Sequence, residues 1–190
     1  MPVLGIIASQ ISGHLFAPSG AYDSIATVTL GSATATISFT SIPATYTHLQ
    51  LRATLRPDNT AGGAFTAYAK FNSDATTGNY RNHGLYGSGS AVSSFTDQVT
   101  GGGVWAGYGP RVATTFGVAV IDILDYANTS KYKTVRMLSG DDRNGSGDII
   151  LISGLWMSTS AINRIDLTVE GGGNFATYTQ YALYGIKGGN

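Results

Sequence analysis

Residues 47–56 read THLQLRATLR. In an extended chain Leu49, Leu51, Ala53 and Leu55 point one way, and His48, Gln50, Arg52, Thr54 and Arg56 point the other. Period-two alternation of this length describes a strand with one buried face and one wet face. Pro57-Asp58-Asn59 then ends the run, since proline cannot donate to a ladder and Asp and Asn favour turns.

The same pattern recurs on both sides. Ser24–Leu30 (SIATVTL) and Thr34–Thr40 (TATISFT) alternate around Gly31-Ser32, which reads as a hairpin. Phe65–Phe71 (FTAYAKF) interleaves aromatic and small residues, and Asn72–Asn79 is polar and turn-rich. His83–Gly87 and Val104–Tyr108 read as short strands, with Ser88–Gly103 between them as a long Ser/Gly surface loop. Thr115–Leu124 (TFGVAVIDIL) is apolar on both sides, as expected of a central strand covered on both faces. Tyr132–Leu138 and Asp148–Ser153 flank a Gly/Asn/Asp turn over 140–147. Ala161–Glu170 alternates less cleanly, and Thr177–Lys187 closes the series. No window holds a helical period. Roughly eight to ten short strands with glycine-rich turns predict an all-β fold, an antiparallel β-sandwich of jelly-roll-like type.

Composition agrees. Charged residues make up 12% of the 190 residues, with one Glu and four Lys, while Gly numbers 26. Exposed helix faces are usually filled with Glu and Lys, whereas Ser, Thr, Val, Tyr and Gly suit strands and turns. The length fits one domain, read as a sandwich over 22–190 preceded by an N-terminal arm, 1–21. The net charge is zero, which argues against nucleic acid as the main partner. There is no cysteine, which excludes disulfides, thiolate catalysis and Cys zinc sites. The first stretch, MPVLGIIASQISGHLF, lacks the basic start of a signal peptide, and polar residues interrupt it. No segment is long and apolar enough to span a bilayer, so no membrane is expected.

Candidate chemistry is sparse. Asp142, Asn144 and Ser146 alternate oxygen side chains before Gly147, as a calcium loop does. Calcium needs about six to eight oxygens, and such loops close with a bidentate Glu. That position here is Ser153, so a hairpin turn is the better reading, and no metal is assigned. His14, His48 and His83 lack the spacing of a zinc site. No Gly-x-Ser-x-Gly elbow marks a serine nucleophile. Asp122 and Asp125 are three residues apart, and paired carboxylates are the machinery of glycosidases. Ion pairs with Arg136 or Arg164 are the more ordinary use of such groups. No catalytic and no cofactor-binding residue is assigned. Eleven Tyr, seven Phe and two Trp remain. Tyr80, Tyr86, Phe95, Trp105 and Tyr108 lie in or beside the Gly-rich loops, where aromatics stack on sugar rings, line interfaces or pack a rim.

IPATYTHLQLR (42–52), VIDILDYANTSKYKTVR (120–136), SGLWMSTSAINRIDL (153–167) and NFATYTQYALYGIKG (174–188) together resemble a group of small structural proteins of tailed bacteriophages. The resemblance covers roughly residues 22–188 and consists of strands and turns, with no active site to transfer. It implies a compact all-β domain on the virion's outer surface, made in the host bacterial cytoplasm, without enzyme activity or cofactor. Such domains decorate heads as cement or head-fibre proteins, and they also tip tail fibres, where host surface glycans are contacted. The implied partners are further copies of the chain, as a homotrimer, and other virion proteins such as the major capsid or a tail protein. A glycan-cleaving enzyme is the rival from another class.

The opening stretch fits this picture. Val3, Leu4, Ile6, Ile7, Ile11, Leu15 and Phe16 precede the first strand. Each contributes roughly 1.5–3 kcal/mol if buried. They are expected to dock on a neighbouring subunit, with folding back onto their own sandwich as the alternative.

Overall fold

A computed structural model describes residues 20–59, 64–97 and 102–188. The described residues form twelve strands and two 3-10 turns, with no α-helix. The strands are β1 (Tyr22–Thr29), β2 (Thr36–Phe39), β3 (His48–Leu55), β4 (Ala64–Phe71), β5 (Tyr80–Gly87) and β6 (Val92–Asp97). They continue with β7 (Val104–Pro110), β8 (Gly117–Ile123), β9 (Lys133–Asp142), β10 (Gly147–Trp156), β11 (Ile165–Val169) and β12 (Gln180–Ile186). One sheet has eight strands in the order β1-β12-β3-β8-β9-β10-β5-β6, and the other has four, β2-β11-β4-β7. Every strand pairing is antiparallel.

The core follows from alternation. Leu49, Leu51, Ala53 and Leu55 of β3 are buried, as predicted. Ala119, Ile121 and Ile123 of β8 and Val135 and Met137 of β9 extend the same inner face. Opposite them the small sheet contributes Ile37, Phe39, Phe65, Phe71, Ile165 and Leu167. Two half-apolar sheets thus close on each other, which is how a β-sandwich removes its inner faces from water.

The β9–β10 hairpin also follows from local chemistry. Arg143 N–H donates to Ser146 O at 2.6 Å, and Asn144 and Gly145 between them have φ of 61° and 108°. Asn-Gly is the pair that tolerates left-handed backbone at both central positions of a tight hairpin turn.

Four expectations need correction. Ser24–Thr40 is not a hairpin: β1 pairs with β12, and β2 pairs with β11 in the other sheet. Leu30 N–H bonds Thr179 O and Thr34 N–H bonds Phe175 O, so the chain crosses between sheets at Gly31-Ser32 and finds partners far away in sequence. Ser88–Gly103 is not all loop, since it contains β6, which pairs with β5 from Asn82↔Asp97 to Gly87↔Val92. Gln50 is buried rather than exposed, held by Asp122 and Arg52 at 2.8 Å each. Finally, β8 is central but covered on one face only: Val118 and Val120 are exposed. No further layer covers that side among the described residues.

Candidate functional site

The aromatic residues singled out in the sequence divide into two groups. Tyr80 is fully buried against Phe71 and Trp156, with ring centroids 6.3 and 6.5 Å away. Its hydroxyl donates to Asp74 O at 2.9 Å and accepts from Phe71 N–H at 3.0 Å. Tyr80 therefore packs the core and is withdrawn as a surface-recognition residue.

The other four converge. Tyr86, Phe95, Trp105 and Tyr108 line one groove of about 410 Å³, together with Tyr68 and Glu170. A bulge in β7 makes this possible. The β4–β7 register shifts between Ala67 and Tyr68, so that Tyr68 faces Trp105 and Thr66 faces Tyr108. In a regular strand residues 105 and 108 would point to opposite faces; the extra residue of a bulge turns them to the same one. Their rings lie 3° from parallel with centroids 6.3 Å apart. Gly107 sits at the bulge because a Cβ there would strike Leu55 of the core. Phe95 reaches across from β6, its centroid 5.2 Å from that of Trp105, over Gly84, where a Cβ would collide with the Phe95 ring. Tyr68 meets Trp105 edge-on at 6.4 Å.

A charge network supports one end of the groove. Tyr86 Oη donates to Asp148 Oδ1 at 2.5 Å, and Tyr108 Oη lies 3.5 Å from Asp148 Oδ2. The hydrogen bond to Asp148 and partial burial raise the Tyr86 pKa; burial and the Asp148 charge raise that of Tyr108. Both phenols stay protonated donors across the physiological range. Arg143 also pairs with Asp148, at Oδ2, and contacts Asp141 at 3.1 Å.

A second surface escaped the sequence reading. Val118, Val120, Leu138, Ile149, Leu151 and Leu85 are each 40–60% exposed. Register aligns them across four adjacent strands. Val120 faces Leu138, which faces Leu151, which faces Leu85. In the next row Val118 and Ile149 flank Gly140. A polar fence bounds the patch: Arg52 Nε donates to Gln50, Gln50 to Asp122, and Arg136 also to Asp122 at 2.8 Å. Arg52 also lies over the rings of Tyr22 and Tyr184. The sequence signal is the two-sided apolar character of Thr115–Leu124, which is equally what a strand covered on both faces would show.

The remaining candidates have ordinary roles. Asp122 pairs with Arg136 at 2.8 Å, whereas Asp125 pairs with Lys131 at 2.5 Å and lies near His48. Arg164 pairs with Asp166 instead, at 2.8 Å. His83 is exposed beside Thr96. In the 141–148 turn, Asp142 Oδ1 accepts from Asn144 N–H at 2.9 Å, and Asp141 pairs with Arg143. Val3, Leu4, Ile6, Ile7, Ile11, Leu15 and Phe16, with His14, lie outside the described residues.

No protein-family model, curated protein or solved structure matches this chain.

Proposed function

We propose that this chain is a non-enzymatic structural protein of a tailed-bacteriophage virion. It sits on the outer surface as a capsid decoration, cement or head-fibre protein, and it works as a homo-oligomer, a trimer, bound to other virion proteins. The observation that carries the reading is the apolar outer face of the large sheet. A monomer rarely leaves a contiguous band of half-exposed Val, Leu and Ile across four strands, and such bands mark protein contacts. The uncharged, apolar segment 1–16 adds a second adhesive element, the anchoring arm. The candidate carboxylates Asp122 and Asp125 are each engaged by a cation, which favours structure over catalysis. The second reading, a tail-fibre or receptor-binding module for host glycans, draws on the convergence of Tyr86, Phe95, Trp105 and Tyr108.

The test uses the purified full chain and phage particles lacking it. The wild type should sediment as an oligomer and bind those particles at high copy number. The double substitution Leu138→Asp with Ile149→Asp should keep a β-type circular dichroism spectrum and cooperative unfolding, yet lose self-association and particle binding. Deleting residues 1–16 should likewise spare folding and abolish incorporation. A wild-type protein that stays monomeric and ignores the particles refutes the reading. A double variant that assembles normally removes the outer face from it.

A further inference from the structure

We propose that the groove between β6 and β7 is a binding site for a neutral oligosaccharide of at least two pyranose units. The proposal rests on the glycan-binding second reading and gives it a ligand class; it is separate from the assembly role of the outer face, which uses other residues, so either can fail without the other. The ligand class follows from what lines the groove. Trp105 and Tyr108 present nearly parallel rings, with Phe95 and Tyr86 as side walls. A pyranose ring offers one face of C–H groups that matches such surfaces, with hydroxyls around its edge.

Polar groups line the groove as well. Ser93 and Thr96 of β6 and the exposed residue Glu170 are among them. A carboxylate accepts hydrogen bonds from up to two vicinal hydroxyls. No Lys or Arg lines this groove among the described residues. With the hollow beside it, the charged lining residues are Glu170 and Lys70, one of each sign, so a polyanion such as a nucleic acid finds no excess of positive charge to bind.

The two-unit minimum comes from the neighbouring hollow of about 570 Å³, which shares Tyr68 and Glu170 with the groove. Thr36, Thr168, Lys70 and Gly171–Gly173 also line it. Gly171 and Gly172 hold φ of 70° and 78°, a conformation that glycine adopts freely. The absence of side chains there leaves backbone amides and carbonyls open to a second sugar unit. Glu170 stands at the junction, placed to read the hydroxyls that flank a glycosidic bond.

The experiment titrates the full chain with maltotriose, cellotriose, galactobiose and diacetylchitobiose while following tryptophan fluorescence. Trp156 is buried and bonded to Asp74, so a saturable change reports on Trp105. At least one sugar should give saturable binding that persists at high salt. Trp105→Ala should abolish it, and Glu170→Gln, an exposed change that spares folding, should weaken it by about tenfold or more. Isothermal titration provides the readout for Trp105→Ala. No saturable binding by any of the four sugars overturns the proposal. So does binding that Glu170→Gln leaves unchanged, or that high salt abolishes.

Discussion

Asp141 stands directly opposite Asp148 across the β9–β10 ladder, and the Arg143 guanidinium from the turn between them contacts both carboxylates. Both side chains are almost wholly buried. Like charges facing each other across a ladder repel, so the hairpin end depends on the cation placed by its own turn. Burial raises the Asp141 pKa, and the negative charge of Asp148 raises it further against the pull of Arg143.

Arg143→Gln should therefore cost about 3–5 kcal/mol at neutral pH, the usual penalty for stranding buried charges. The sign of the pH dependence follows from the raised pKa of Asp141. A carboxyl whose pKa rises on folding favours the protonated form, so its contribution is present at low pH and lost as pH rises through the folded value. The stability gap between wild type and variant should narrow as pH falls toward the carboxylate range. A gap that stays constant in pH-dependent urea unfolding would remove the like-charge argument.

Asp74 gives the opposite pH signature. Desolvation pushes its pKa up, but hydrogen bonds from Trp156 Nε1, Asn79 Nδ2 and Thr76 N–H outweigh that and hold it down at about 2. Its stabilisation is present above the ordinary carboxylate value and lost as pH falls through the lowered one. Asp74→Ala should cost about 1–3 kcal/mol at neutral pH, chiefly by leaving the buried Trp156 indole N–H unpaired. That cost should shrink on acidification. An acid-independent difference in melting temperature would contradict this account.

The two faces of the large sheet should respond differently to truncation. Leu51 is wholly buried and Leu138 is half exposed. Leu51→Ala should cost about 2–5 kcal/mol. Leu138→Ala should stay within roughly 0.5 kcal/mol in the dissociated chain and be felt in assembly instead. Denaturant unfolding at low and high protein concentration separates the two effects. Equal costs for both residues at low concentration would mean that the outer face is covered within one chain.

EDTA should leave the melting temperature unchanged. Asp142 is engaged with the turn backbone at Asn144, and Arg143 already neutralises Asp141 and Asp148, so the loop offers calcium too few free oxygens. A drop on chelation, restored by calcium and not by magnesium, would show that the loop binds metal.

Period-two alternation determined most of the strands and the direction of their buried faces. It was legible at Leu49, Leu51 and Leu55 because a strand's two faces are written in neighbouring residues. The Asn144-Gly145 turn was legible for the same reason, since its chemistry is local. Pairing was not: β1 and β2 sit on either side of a glycine turn and yet take their partners from residues more than a hundred positions away. Only the packed sheets decide which ladder is cheaper to satisfy. The same holds for the two surfaces. Aromatic residues near glycines could be named from sequence, but a bulge set Trp105 beside Tyr108, and the core claimed Tyr80. The two apolar sides of β8 read as a strand covered on both faces, because sequence records how apolar a face is and not whether a neighbour lies over it.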